Sequence, residues 1–136
     1  MFDLILLPLD SSPESERALD IALDLGRRYH SKLLLLSVID AGEETPGREA
    51  FVEQARERAR QLSEAVQQRV QQAGLPLETR VEEGRIAFVI CDVADEAGAD
   101  VIVMGSRGLG LTDEGIQHST SDRVINLSPC PVLVVP

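Results

Sequence analysis

The sequence predicts an open α/β domain built on a parallel sheet, and three observations carry that reading. Apolar runs at 4–9, 33–39, 101–104 and 131–135 sit between turn residues and read as strands, with 4–9 and 101–104 in the pattern of strands buried on both faces. Segments with apolar residues every three or four positions alternate with these runs, which gives the order β-α-β-α-β-α-β-α-β. Such alternation implies right-handed crossovers and helices on both faces of one sheet. Finally, Gly105, Gly108 and Gly110 cluster immediately after one of the strands. In sheets of this kind ligands collect beyond the carboxyl ends of the strands, where the strand order reverses.

The elements follow in order. Leu4 to Leu9 is the first strand, closed by Asp10-Ser11-Ser12-Pro13. Ser12 as N-cap with Pro13 at the first helical position starts a helix, and Ala18, Ala22, Leu25 and Tyr29 share its inward face. His30 and Ser31 form a turn, with His30 solvated. Leu33 to Ile39 is the second strand, ended by Asp40. Residues 41–48 have turn composition. From Phe51, the stripe Val52, Ala55, Ala59, Leu62, Val66, Val70 and Ala73 predicts a long amphipathic helix, stopped by Gly74 and Pro76. Leu77 to Glu82 alternates apolar with charged residues and suits an edge strand. A helix with Ile86, Val89, Ile90, Val93, Ala94 and Ala97 inward ends at Gly98, before the strand Val101 to Met104. Val124, Ile125 and Leu127 belong to a short helix stopped by Pro129, and Pro131 to Val135 is the last strand.

Composition narrows the function. The 136 residues make a single domain, 1–136, large enough to bury roughly two-thirds of the unfolded chain's surface. A net charge of −10 disfavours nucleic acid and anionic membrane as partners. Aromatics are only 3% with no Trp, so the core is aliphatic and base-stacking platforms are not expected. Cys91 and Cys130 have neither C-x-x-C spacing nor a nearby histidine, and read as small hydrophobes. The start, MFDLILLPLD, lacks a basic region and is interrupted by Asp3 and Pro8, so it reads as a strand. No run approaches a membrane span, and a cytoplasmic protein is expected.

The candidate site is the stretch from Ala99 to Arg123. A buried strand ending at Met104 runs into Gly105, and the stretch closes on Ser119-Thr120-Ser121-Asp122. Ser119 and Asp122 have capping-box spacing, so a helix is expected to start there. Backbone N–H groups and a helix N-terminus can face an anion without a cationic side chain, a plausible phosphate cradle. Neither familiar nucleotide motif is present: the glycine order is not G-x-G-x-x-G, and the single lysine, Lys32, rules out G-K-S/T. Asp10, Val38 to Asp40 and Met104 to Gly110 end strands one, two and four and are the residues placed to meet a ligand. Asp10 serves equally well as a helix-start residue, and Asp40 as a strand end.

The segments LILLPLDSS, LLLLSVID, ADVIVMGSRG and SDRVINLSPCPVLVVP resemble the universal stress protein family, and the likeness spans the chain. The resemblance implies a Rossmann-like five-stranded parallel sheet of order 3-2-1-4-5 and a homodimer. ATP-binding members of that family carry G-x2-G-x9-G-S/T. Gly105 and Gly108 match, nine residues follow, His118 stands where the third glycine belongs, and Ser119 matches the hydroxyl. The resemblance therefore implies an adenine nucleotide, ATP or AMP/ADP, with Pro8, Asp10 and Val38 near adenine and ribose. Gly105, Gly108, Ser119 and Ser121 would lie near the phosphates, with Met104, His118 and Thr120 beside them. At a left-handed position His118 would cost on the order of 1 kcal/mol, and its ring would compete for phosphate space or donate to it. Asp113 and Glu114 also replace the leucine-rich stretch usual in the family and bring negative charge.

Three functions remain open on the sequence. The first is a nucleotide-binding regulatory module in stress response or signalling. The second is a nucleotide-free dimeric interaction protein, paired through the apolar strand 131–135 if that strand lies at an edge. The third is a slow ATPase, for which His118, Asp10 and Arg107 are the candidates, though they form no convincing acid/base pair. No catalytic residue and no metal ligand is assigned, and any Mg²⁺ would be held mainly by ligand phosphates.

Overall fold

The computed structural model describes residues 1–42, 45–106 and 120–136. Strands β1 (Leu4–Pro8), β2 (Lys32–Ile39), β3 (Leu77–Glu83), β4 (Val101–Gly105) and β5 (Val132–Val135) alternate with helices α1 (Pro13–Tyr29), α2 (Arg48–Gln72), α3 (Ile86–Ala97) and α4 (Thr120–Leu127). The strands are all parallel and lie in the order β3-β2-β1-β4-β5. The sequence order and the spatial order part company after β3, where the chain crosses back to lay β4 on the other side of β1.

Period-two alternation along the strands divides the core into two layers. Ile5, Leu7, Leu33, Leu35, Val101 and Val103 face α1 and the later part of α2. Leu6, Leu34, Leu36, Ile102 and Met104 face α3 and α4. β1, β2 and β4 are therefore apolar at almost every position, because both faces are covered. β3, at one edge, keeps its mixed character, with Val81 37% exposed.

Local chemistry sets the helix ends. The Ser12 hydroxyl accepts the Ser15 N–H at 3.2 Å, and Pro13 occupies the first turn, where its missing N–H is harmless. α1 ends at His30, whose left-handed backbone (φ 55°) brings its N–H to the Gly26 carbonyl. Ser31, fully buried, donates its hydroxyl to the Phe2 carbonyl and pins the α1–β2 turn to the start of β1.

Two expectations shift. α2 starts at Arg48, three residues before Phe51, on a Gly47 N-cap with no side-chain cap. The apolar stripe of α2 also packs for only part of its length: Ala59, Val66 and Val70 are buried, and Leu62 and Ala73 pack partly against the α1 layer. Val52 and Ala55 are half-buried, and Phe51 is 45% exposed. The groove beside residues 56–64 mixes Ser37 and Thr79 with Leu35 and Val81, so its sheet side is only partly apolar. Cys91 is buried and Cys130 half-buried, both as free thiols. Burial pushes both thiols up, so they behave as the small hydrophobes expected.

Leu35, at the middle of β2 and 1% exposed, gauges this core. Leu35→Ala is expected to cost about 2–5 kcal/mol. Urea unfolding should show a lower midpoint with an unchanged slope.

Candidate functional site

The site grows from the hydrogen-bonding alternation of β1. The Asp3 carbonyl accepts from Lys32 of β2, the Leu4 carbonyl from Asp100 at the head of β4, and the Leu9 N–H donates to Leu36 of β2. Odd residues of β1 thus address β2 and even residues address β4. Pro8 is even, so the N–H it lacks is the one that would have joined β1 to β4. The ladders agree: β1 pairs with β2 through Pro8–Leu36, but with β4 only at Ile5–Val101 and Leu6–Ile102. β4 stays paired with β5 to Gly105–Val135, and the Ser106 N–H extends that pairing to the Val135 carbonyl at 2.8 Å. The two central strands therefore part at their carboxyl ends, at the point where the strand order reverses. That parting is the crevice in which open α/β sheets bind ligands.

Asp10 stands on the β1 side of the crevice, half-buried. Its Oδ1 accepts the Ser12 N–H and the Ser15 hydroxyl, both at 2.8 Å, and its own N–H donates to Ser15 Oγ at 2.9 Å. Asp10 is thus a helix-start residue whose carboxylate is held in a fixed orientation. Ser15, 2% exposed, was not singled out from the sequence. Its signal was present: a serine three residues after an N-cap is placed to reach back to the turn. Val38, near the end of β2, is half-buried against the α3–α4 core layer. Asp40 is exposed and accepts the Gly42 N–H at 3.2 Å, as a strand end does.

Across the crevice, Met104 is fully buried in the α3–α4 layer and forms a wall rather than an open contact. Gly105 follows it, buried within the last pair of β4 and β5. Thr120, half-buried, opens α4, and Ser121 is 6% exposed. The Ser121 hydroxyl donates to the Ser106 carbonyl at 3.5 Å and draws the first turn of α4 to the end of β4. Pro8, Asp10, Val38, Met104, Gly105, Thr120 and Ser121 are thereby gathered at one end of the sheet. Arg107, Gly108, Asp113, Glu114, His118 and Ser119, with the proposed Ser119–Asp122 capping box, lie outside the described residues. Among the described residues no three His, Cys, Asp or Glu side chains converge as metal ligands, and no helix is long and apolar enough to cross a membrane.

An open doubly wound α/β domain with its topological switch point between β1 and β4 is the class this geometry defines. The model of the universal stress protein family matches residues 1–136, and the chain belongs to that family. Universal stress protein Sll1654 of Synechocystis is 49% identical over 136 residues, covering 100% of this chain and 87% of the relative. The universal stress protein UspA from Lactobacillus plantarum superimposes with a TM-score of 0.82 at 27% identity, covering 99% of this chain and 98% of that one. An Arabidopsis thaliana family member, solved with AMP bound, shares the fold with a TM-score of 0.71 at 21% identity, covering 97% and 90%.

The Asp10–Ser15 pair is testable. Ser15→Ala leaves the Asp10 N–H and one carboxylate oxygen short of a partner and is expected to cost about 1–3 kcal/mol. Ser11→Ala, at an exposed neighbour, is expected to leave the denaturation midpoint unchanged.

Proposed function

We propose that the chain binds an adenine nucleotide in the crevice between β1 and β4 and acts as a homodimeric regulatory module in a cytoplasmic stress response. The observation that carries this reading is the parting of β1 and β4 at Pro8, with backbone and hydroxyl groups but no lysine around it. In this reading Pro8 and Val38 flank the adenine and Asp10 meets the ribose. Gly105, Gly108, Ser119, Thr120 and Ser121 serve the phosphates through N–H and hydroxyl donors. The α4 N-terminus adds a favourable dipole for an anion. AMP bound to the Arabidopsis relative supports the ligand class. His118, in place of the motif glycine, sets a preference for AMP or ADP over ATP, and Mg²⁺ enters with a polyphosphate, held by its oxygens.

Denaturing freshly purified protein and identifying the released nucleotide, then titrating refolded protein calorimetrically with AMP and ATP, tests this directly. Saturable AMP binding is expected, and His118→Gly is expected to tighten ATP more than AMP, by several-fold. Silence towards every adenine nucleotide at millimolar concentration overturns the reading.

A second reading, a dimeric interaction protein that needs no nucleotide, rests on the same dimer surface. β5 is an edge strand whose Leu133 is 39% exposed, and Ile125 and Leu127 on α4 are 52% and 49% exposed. An apolar edge of this kind invites pairing across a two-fold axis. Light scattering is expected to report a dimer, and Leu133→Glu a monomer of unchanged helix content. Both readings require that dimer, so the titration separates them.

A further inference from the structure

We propose that the first part of α2, residues 48–59, is a flap latched to the sheet through Glu83 and able to open while the rest of the helix stays packed. The argument begins with what holds each part of α2. From Leu62 onward the helix contributes Leu62, Val66, Val70 and Ala73 to the core, with Val66 and Val70 at 2% and 0% exposure. Before Leu62 only Ala59, at 7% exposure, is buried, and neither core layer includes it. Beside residues 56–64 the packing is incomplete and leaves a groove of about 340 Å³, lined on the sheet side by Leu35, Ser37, Thr79 and Val81 and on the helix side by Arg56, Ala59, Arg60 and Ser63.

Ion pairs with one carboxylate replace the missing contacts. Arg48 Nη2 lies 3.5 Å from Glu83 Oε1, and Arg56 Nη2 lies 2.7 Å from Oε2. Arg48 and Arg56 stand two helical turns apart, so Glu83, at the end of β3, bridges the first two turns of the flap. Two features oppose this closed position. Gly47 supplies no side-chain cap to the helix start. Arg48 Nε is buried without a hydrogen-bond partner among the described residues, a cost that opening relieves.

The far end of the flap is also defined. Arg60 is held by Glu57 and Glu64, each at 2.6 Å, one on either side of it along the helix. Unwinding that starts at Gly47 stops where the helix becomes packed, at Ala59 and Leu62 and then at Val66 and Val70. A helical stretch of this length is marginal in water once its tertiary contacts are gone. Partly exposed ion pairs are individually weak and screened by salt, the property a releasable latch requires. The flap begins eight residues beyond Asp40, so it hangs from the strand end that borders the crevice.

Hydrogen exchange of the full chain tests this, followed by mass spectrometry on peptides covering 50–58 and 64–72. In low salt the first peptide is expected to exchange faster than the second. At about 0.5 M NaCl, and in Glu83→Gln, exchange in 50–58 is expected to rise about three- to tenfold, with 64–72 unchanged. Arg56→Gln, which breaks the latch from the helix side, is expected to act in the same direction. Equal protection of the two peptides overturns the proposal. So does a joint acceleration of both peptides, or indifference of 50–58 to salt and to both variants.

Discussion

The structure depends on a single backbone constraint at the end of its central strand. β1 is the strand from which the sheet is wound in both directions, so its residues must hydrogen-bond alternately to β2 and β4. Pro8 interrupts that alternation on the β4 side only, because its ring nitrogen has no hydrogen to give. β1 remains joined to β2, β4 remains joined to β5, and the seam between the two halves opens. Elsewhere a proline in a central strand would be a defect. Here, at the carboxyl end, it makes the crevice.

The surroundings of that seam preserve it. Met104 fills the α3–α4 side beneath it, and the Asp10–Ser15 hydrogen bonds fix the turn that leads from β1 into α1. Ser121 brings the first turn of α4 against the Ser106 carbonyl. The site is therefore made chiefly of backbone donors, hydroxyls and a helix start, on a chain of net charge −10. On a chain of this charge, the proposed nucleotide site relies on local dipoles rather than on a basic surface.

The two edges of the sheet differ for physical reasons. β3 carries Glu78, Arg80, Glu82 and Glu83, and its charges tie it to neighbouring helices through pairs such as Arg80–Glu96 and Arg56–Glu83. Charged side chains of this sort protect an edge from pairing with another chain. β5 has no such guard, with Leu133 exposed on a short apolar strand. The polar edge also explains the weak seat of the first half of α2. Beside residues 56–64 the sheet side of the groove mixes Ser37, Thr79 and Arg80 with Leu35 and Val81, and Val52 and Ala55 stay half-buried.

Much of this was legible in the sequence because it rests on local rules. Apolar runs gave the parallel strands, three-to-four spacing gave the helices, and Ser12-Pro13 gave the start of α1. Gly74 and Gly98 closed their helices through left-handed backbone that glycine adopts without strain. The collection of Pro8, Asp10, Val38, Met104 and Gly105 at one end of the sheet followed from the alternation of elements, since parallel strands all finish on the same side. Other features depended on what lies opposite, which no spacing reveals. The stripe in α2 is continuous in sequence from Val52 to Ala73, yet its fully buried members are only Ala59, Val66 and Val70. Nothing near Ser15 in the chain shows that its hydroxyl serves both the N–H and the carboxylate of Asp10. The sequence by itself determined the elements, their caps and the position of the missing donor at Pro8. Only the tertiary structure decided which neighbour that donor would have served, because a strand's two sides acquire partners only when the sheet assembles.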